Sequence, residues 1–232
     1  MAERVRGDES PSLAYLPPEA SHEELSAAVQ ECRACELYGR ATRAVLGEGP
    51  VPAKMMLVGE QPGSAEDASG RPFAGQAGSL LDAALEEAEI PRDQVYLTNV
   101  LKHFKWEQRG DRRVHAKPTA FELHACRGWL EAEVRIVVPQ VIVCLGAVAA
   151  QVFLGRKFRL KESHGVLLDG TPWAPRVVAT YHPSALLRMK NENANYARAR
   201  RDFTLDLAEA ASIVSFRTQR IRHLPVIPSA LP

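Results

Sequence analysis

Val141-Ile-Val-Cys-Leu145 is a run of five apolar side chains without alternation. Such a run marks a strand buried on both faces of a parallel sheet, because a strand with one wet face alternates. Gly146 and a short helical stretch, Ala147 to Leu154, follow it. On either side the chain repeats the pattern of a short apolar run and then a longer amphipathic one. Lys54-Met-Met-Leu-Val-Gly59 reads as a strand. Gly75 to Glu89 reads as a helix, since Ala77, Leu80, Leu81, Ala84, Leu85 and Ala88 fall on one face. Val95 to Asn99 is a further strand, and Pro118 to Arg135 a helix with Leu123, Cys126, Leu130 and Val134 three or four residues apart. Arg176 to Thr180 and Asn193 to Ala211 supply the last strand and helix. The pattern predicts one α/β domain over residues 21–214, a three-layer α/β/α sandwich around a four-stranded, mostly parallel central sheet. Residues 1–20, rich in Pro, Ser and charge, are expected to form a flexible N-terminal arm, and residues 215–232, with three prolines, a C-terminal surface tail.

At 232 residues, 46% hydrophobic and 25% charged, the chain can bury a sizeable core. The longest nearly uncharged run, Val141 to Leu154, falls short of the roughly 20 residues of a membrane helix. Met1 to Ser12 is charged from its third residue with no apolar stretch behind it, so the expected location is cytoplasmic, away from membranes. Twenty-nine basic and 28 acidic side chains give a net charge of +1. That excludes a uniformly basic surface and leaves nucleic-acid binding to a local patch.

In a parallel sheet, ligands gather at the carboxyl ends of the strands. Three polar or glycine-rich segments lie there, and a fourth, Arg71 to Gly75, precedes a helix nearby in sequence. Gly59-Glu60-Gln61-Pro62-Gly63 sets a carboxylate and an amide between glycines, as either a plain turn or a ligand loop. Arg71-Pro-Phe73-Ala-Gly75 presents an aromatic that is either core or a platform for a flat ligand. Lys102 to Lys117 carries six basic and two acidic side chains with Phe104 and Trp106 interleaved. It reads as a long loop, either solvated or contacting single-stranded nucleic acid through Lys105, Arg112 and Arg113, with Arg188 as a further phosphate contact. Tyr181-His182-Pro183-Ser184 ends the last strand, and His182 is either a structural hydrogen-bonder or a catalyst opposite Glu60.

Four cysteines in a chain without an export signal are metal ligands or core residues rather than disulfides. In Cys32-Arg-Ala-Cys35, two thiolates three residues apart can reach one iron or zinc. Cys144 sits inside the apolar strand, and His124 is two residues from Cys126 on a helix, hence on another face. That leaves Cys126 and His103 to complete a set of three cysteines and one histidine.

GEQPG, RPFAG, the Asn99 strand end, the CxxC pair, Ala125-Cys-Arg-Gly-Trp-Leu130 and His182-Pro-Ser-Ala-Leu-Leu-Arg188 together resemble family 4 uracil-DNA glycosylases over roughly residues 25 to 212. Gln61 and the loop Arg112-Arg113-Val114-His115 resemble the UdgX branch, whose members become covalently attached to DNA after excising uracil. That branch has Lys-Arg-Arg-Ile-His, whereas here Asp111 and Val114 stand at the Lys and Ile positions. The resemblance implies a [4Fe–4S] cluster on Cys32, Cys35, His103 and Cys126, and uracil-containing, single-stranded DNA as the partner of a monomer. It also implies a division of roles. Gln61, Phe73 and Asn99 bind the base, with Phe73 stacking and Asn99 excluding cytosine. His182 donates to the uracil carbonyl, Glu60 stabilises the sugar cation, and His115 attacks C1′. The alternatives are a conventional multiple-turnover glycosylase and a non-catalytic iron–sulfur nucleic-acid-binding protein. Glu60 and His182 argue against the last, since a pure binder needs neither.

Overall fold

The computed structural model describes residues 9–169, 171–190 and 193–216. Its centre is a sheet in the order β2 (Val95–Asn99), β1 (Met55–Gly59), β5 (Val141–Leu145), β7 (Arg176–Thr180) and β6 (Leu168–Asp169). The first four strands are parallel, and β6 joins the edge antiparallel to β7. The α/β expectation therefore holds with one strand added, because two residues are too few to show a period. The helices are α1 (His22–Ala28), α2 (Ser64–Ser69), α3 (Gln76–Glu87), α4 (Ala120–Val137), α5 (Ala147–Leu154), α6 (Leu160–Ser163), α7 (Pro183–Met189) and α8 (Asn193–Ser212). None among the described residues is long and apolar enough to cross a membrane.

Alternate residues of the unbroken apolar strands feed two separate cores. Met55, Leu57, Val141 and Val143 pack with Leu81 and Leu85 of α3 and Phe203 and Leu207 of α8. Met56, Val58, Ile142 and Cys144 pack with Leu130 and Val137 of α4 and Phe153 of α5. Each fully buried Leu or Phe contributes roughly 1.5–3 kcal/mol, so both sheet faces need their helices. A third cluster joins Leu25, Val29, Cys32, Leu37, Cys126 and Trp129 beside the sheet. Helix α4 begins two residues after Pro118, at a capping box in which Thr119 Oγ1 accepts from Glu122 N at 3.2 Å and Glu122 Oε2 from Thr119 N at 2.6 Å.

Two segments differ from their expected form. Ser10 and Ser12, placed by composition in a loose arm, are buried, and Pro11–Tyr15 forms a 3-10 turn against α4. The Ser10 hydroxyl bonds the carbonyls of His124 and Ala125 at 2.9 and 3.0 Å, which a count of Pro and Ser cannot anticipate. Residues 1–8 and 217–232 of the expected arm and tail lie outside the described residues.

The second is the basic stretch, which is a hairpin of β3 (Trp106–Arg109) and β4 (Arg112–His115) rather than an irregular loop. Gly110, at φ +57°, and Asp111 make its two-residue turn. Its two aromatics are both engaged by the protein itself, Phe104 by burial and Trp106 in part by arginines. Phe104 is 2% exposed, and the guanidinium groups of Arg40 and Arg113 each lie 4.7 Å from the Trp106 ring centre. The Trp106 indole donates to Arg40 O at 3.0 Å. Arg113 also pairs with the buried Asp67 of α2 at 3.1 Å, fastening the outer strand of the hairpin to the body.

Replacing Arg113 with Ala is expected to lower stability by about 1 kcal/mol. The loss stays small because the guanidinium is 42% exposed and Asp67 keeps the bond from Thr42 N. An unchanged urea midpoint would show that the hairpin is held without this pair.

Candidate active site

The strand register brings the sequence motifs together. Gly59 lies opposite Asn99 in the β1–β2 pair, and Leu145 opposite Thr180 in the β5–β7 pair. Glu60, Gln61 and His182 therefore leave the sheet along the same edge. A cavity of about 90 Å3 opens there, lined by Gln61, Glu66, Phe73, Asn99, His115 and His182 among others. Pockets for drug-sized ligands usually measure about 300–1,000 Å3, so this one suits a single small ring.

Gln61 is the bracket of the site. Its Oε1 accepts from Lys105 N at 2.7 Å, and its Nε2 donates to Ala116 O at 2.7 Å, so one amide holds the bases of both hairpin strands. The same Nε2 lies 3.4 Å from His115 Nδ1. Because that amide nitrogen only donates, the pattern makes Nδ1 the acceptor and puts the ring proton on Nε2. Nε2 in turn faces Glu60 Oε1 at 3.9 Å. Burial and the nearby Arg188 hold His115 below the usual imidazole range, keeping it neutral. Burial raises the Glu60 carboxyl, against the opposing pull of Gln61, Lys117 and Arg188.

His182 caps α7 in a fixed tautomer. Its Nδ1 accepts from Ser184 N at 3.1 Å and pairs with Ser184 Oγ at 2.9 Å. A backbone amide can only donate, so Nδ1 carries no proton and Nε2 does. Burial pushes the His182 pKa down to about 4, with His115 and Arg188 adding to the effect. A neutral N–H donor at the cavity wall results. Phe73 lies 6.2 Å from it with the rings inclined at 27°, and both line the cavity. Phe73 takes φ +55°, three residues before α3 begins. A Cβ on Gly78 would come within 1.6 Å of the Phe73 carbonyl oxygen. A Cβ on Gly59 would likewise stand 2.3 Å from Asn99 Oδ1, so that glycine makes room for the Asn99 amide.

Glu66 was not singled out in the sequence. Its carboxylate accepts from Gly63 N at 2.9 Å and Gly75 N at 3.0 Å, stapling the GEQPG loop to the RPFAG loop. The spacing Gly63 to Glu66, that of a capping box, was the available signal. Ser184, quoted only as part of a motif, proves to set the His182 tautomer.

Cys32, Cys35 and Cys126 meet in the third core cluster, while Cys144 is enclosed in β5 on the sheet, as its apolar neighbours imply. Trp129 Nε1 donates to Cys32 Sγ and Lys102 N to Cys126 Sγ, both at 3.2 Å. Burial pushes the Cys126 thiol up to about 12 and raises that of Cys35, so unpaired thiolates are disfavoured at these two positions. His103 is 5% exposed, and its imidazole makes no hydrogen bond with any described residue. N–H donors on two sulfurs and an unpartnered buried imidazole suit a cluster whose charge they can offset. Among the described residues, no three His, Cys, Asp or Glu side chains are close enough to hold a single metal ion.

The family model of the uracil DNA glycosylase superfamily matches residues 46–204. The type-4 uracil-DNA glycosylase of Thermotoga maritima is 37% identical over 195 residues, covering 83% of this chain and 94% of its own. That of Archaeoglobus fulgidus is 37% identical over 166 residues, 68% of this chain and 79% of its own, and that of Pyrobaculum aerophilum 34% over 173, or 72% and 84%. The chain belongs to the type-4 uracil-DNA glycosylase family.

The four basic residues read as phosphate contacts in this type-4 chain have different surroundings. Lys105 is paired with Glu122 at 2.8 Å and Arg113 with Asp67. Arg112 and Arg188 are exposed, with Arg188 Nη1 reaching Ser184 Oγ at 3.4 Å. Lys102 is fully buried and faces no solvent.

His182 carries a pH signature. Its folded pKa of about 4 lies below the roughly 6.5 of an unfolded histidine. The unfolded chain therefore binds its proton first on acidification, and stability present above about 6.5 is lost as the pH falls towards 4. A His182→Gln variant should show a smaller fall in urea midpoint between neutral pH and about 4.5 than the unmodified protein. Parallel curves for the two proteins would mean that His182 is not held neutral.

Proposed function

We propose that this protein excises uracil from DNA and is then captured by the sugar it has exposed, through His115. The observation that carries the reading is the meeting of two imidazoles at one small cavity, His182 with Nδ1 accepting from Ser184 N and His115 with its Nε2 facing Glu60. To reach the cavity, the uracil must leave the base stack or arrive on a single strand. Phe73 then stacks on the ring and Asn99 bonds its polar edge, where the exocyclic amine of cytosine has the wrong donor pattern.

As the bond between the base and C1′ breaks, its electron pair passes to the uracil. The His182 Nε2–H donates to the carbonyl oxygen on which negative charge develops. A donor aimed at such charge is worth about 3–4 kcal/mol. The Glu60 carboxylate faces the positive sugar. The lone pair of the unprotonated His115 ring nitrogen forms the bond to C1′, and the Glu60 carboxylate takes the Nε2 proton of the imidazolium that results. The product is a protein–DNA adduct, and the protein acts once. The same burial that raises the Glu60 pKa makes it a better acceptor for that proton.

The decisive measurement is a denaturing gel with a uracil-containing oligonucleotide. Unmodified protein should give a heat-stable adduct of at most one equivalent, while His115→Ser gives none but still releases uracil, water having taken over. Free abasic sites and repeated turnover with the unmodified protein would instead make it a conventional glycosylase, with Glu60 activating water.

Cys32, Cys35, Cys126 and His103 would hold a [4Fe–4S] cluster. When bound, it ties the Cys32–Cys35 loop, α4 and the turn after β2 together, outside the bond-changing steps. Purified protein is expected to contain about four irons with matching sulfide. Cys126→Ser should lose its visible absorption and Cys144→Ser retain it. Zinc in place of iron would refute the assignment.

A further inference from the structure

Lys102 and Glu133 form an ion pair with both side chains at 0% exposure. Stability alone does not account for it, since exchanging a buried pair for apolar residues is often neutral or favourable. The partners of each group indicate its use. Glu133, on α4, accepts from Gly47 N at 2.7 Å, Tyr96 Oη at 3.0 Å and Thr98 Oγ1 at 2.9 Å, besides Lys102. Lys102 Nζ donates to Glu133, to Thr98 Oγ1 at 2.8 Å and to the carbonyl oxygen of Asn99 at 2.6 Å. All three of its protons are directed, and one of them goes to the backbone of the residue whose amide enters the cavity.

The turn from Asn99 to Lys102 is fixed from several sides. Val100 N donates to Gly59 O at 2.9 Å and Leu101 N to Glu60 O at 3.1 Å, hanging the turn on the end of β1. Lys102 N donates to Cys126 Sγ, seven residues before Glu133, so Lys102 meets α4 at two points two helical turns apart. Asn99 itself sits close against Gly59, without space for a Cβ there. A shift of the Asn99 backbone would move its amide within a cavity that has no spare width.

We infer that the Lys102–Glu133 pair is a positioning device for Asn99, holding from outside the cavity the amide that reads the base. The inference rests on the role given to Asn99 above. Displacing a positioned group by about 1 Å can cost a hundredfold in rate, so the pair acts on base excision without touching the base.

The test uses full-length protein carrying Lys102→Met together with Glu133→Gln. Glutamine retains Oε1 for Gly47, Tyr96 and Thr98, and no charge is left unpaired, so the Asn99 carbonyl is the group that loses its partner. The maximal single-turnover rate of uracil release should fall by about tenfold to a hundredfold. The half-saturating oligonucleotide concentration and the thermal midpoint should remain close to those of the parent. A folded double variant with the parental rate overturns the inference. If the double variant does not fold, Thr98→Val decides, because it removes one acceptor from Nζ and one donor from Glu133. A several-fold slower release supports the inference, and a parental rate overturns it. Asn99→Ala measured alongside separates the two ideas. A slow Asn99→Ala with a fast double variant defeats the positioning role alone, and a fast Asn99→Ala defeats the reading of Asn99 as the base-recognising residue.

Discussion

Strands β1 and β5 are buried on both faces, and this one constraint decides where polar chemistry can occur. No side chain between Met55 and Val58 or between Val141 and Leu145 can carry an unpaired charge without a large desolvation penalty. Reactive groups are therefore displaced to the residues immediately beyond the strands, where backbone direction is set by the sheet but side chains are free of it. The parallel register then brings Gly59, Asn99, Leu145 and Thr180 to a common edge. Glu60, Gln61 and His182 share one site because the strands before them share one length.

Polar groups that do enter the interior come with their partners. Lys102 and Glu133 account for each other, and the Glu66 carboxylate is divided between two backbone amides. Asp206 follows the same rule at the carboxyl end of β7, accepting from Thr180 Oγ1 at 2.6 Å and bonding His164 Nδ1 at 3.0 Å. Among the described residues every side-chain nitrogen or oxygen wholly shut off from solvent has a partner, the slightly exposed His103 ring falling outside that group. A fully satisfied polar network is rigid in a way that an apolar contact is not. The consequence for the cavity is that Asn99, Phe73 and His182 stand in walls with little freedom to adjust, and selectivity between bases of similar size needs such walls.

What could be read from the sequence follows the same division. The apolar runs of β1, β2, β5 and β7 fall where their periods place them, because burial on both faces leaves a strong local pattern. The edge groups Glu60, Gln61, Phe73, Asn99 and His182 were also legible, since each follows a strand or precedes a helix. The hairpin was not. Its strands, Trp-Glu-Gln-Arg and Arg-Arg-Val-His, are too charged to resemble β-structure, and only Gly110-Asp111 marked the turn. The partner of Trp106 was not legible for a related reason, since Arg40 is distant in sequence and carries no sign of the contact. Lys102 and Ser10 show the other limit. A lysine in a basic run and a serine in a polar arm carry no local mark of burial, because long-range partners decide it.

The hairpin determines where His115 stands beside the cavity. A charged two-stranded ribbon has little stability of its own, so His115 at its end would sample many positions if the ribbon were free. Here Gln61 holds the base of both strands, Trp106 and Arg113 hold the outer surfaces, and Lys105 is tied to the start of α4. Tethering of this kind turns a collision into an intramolecular step with an effective concentration of about 10⁵ M or more in favourable geometry. Solvent water cannot match that figure, so under the proposed chemistry a held imidazole captures a short-lived sugar cation before water does. Under that chemistry the balance depends on anchorage as well as on the histidine itself. Loosening Gln61 or Arg113 would return the advantage to water without altering a single reacting atom.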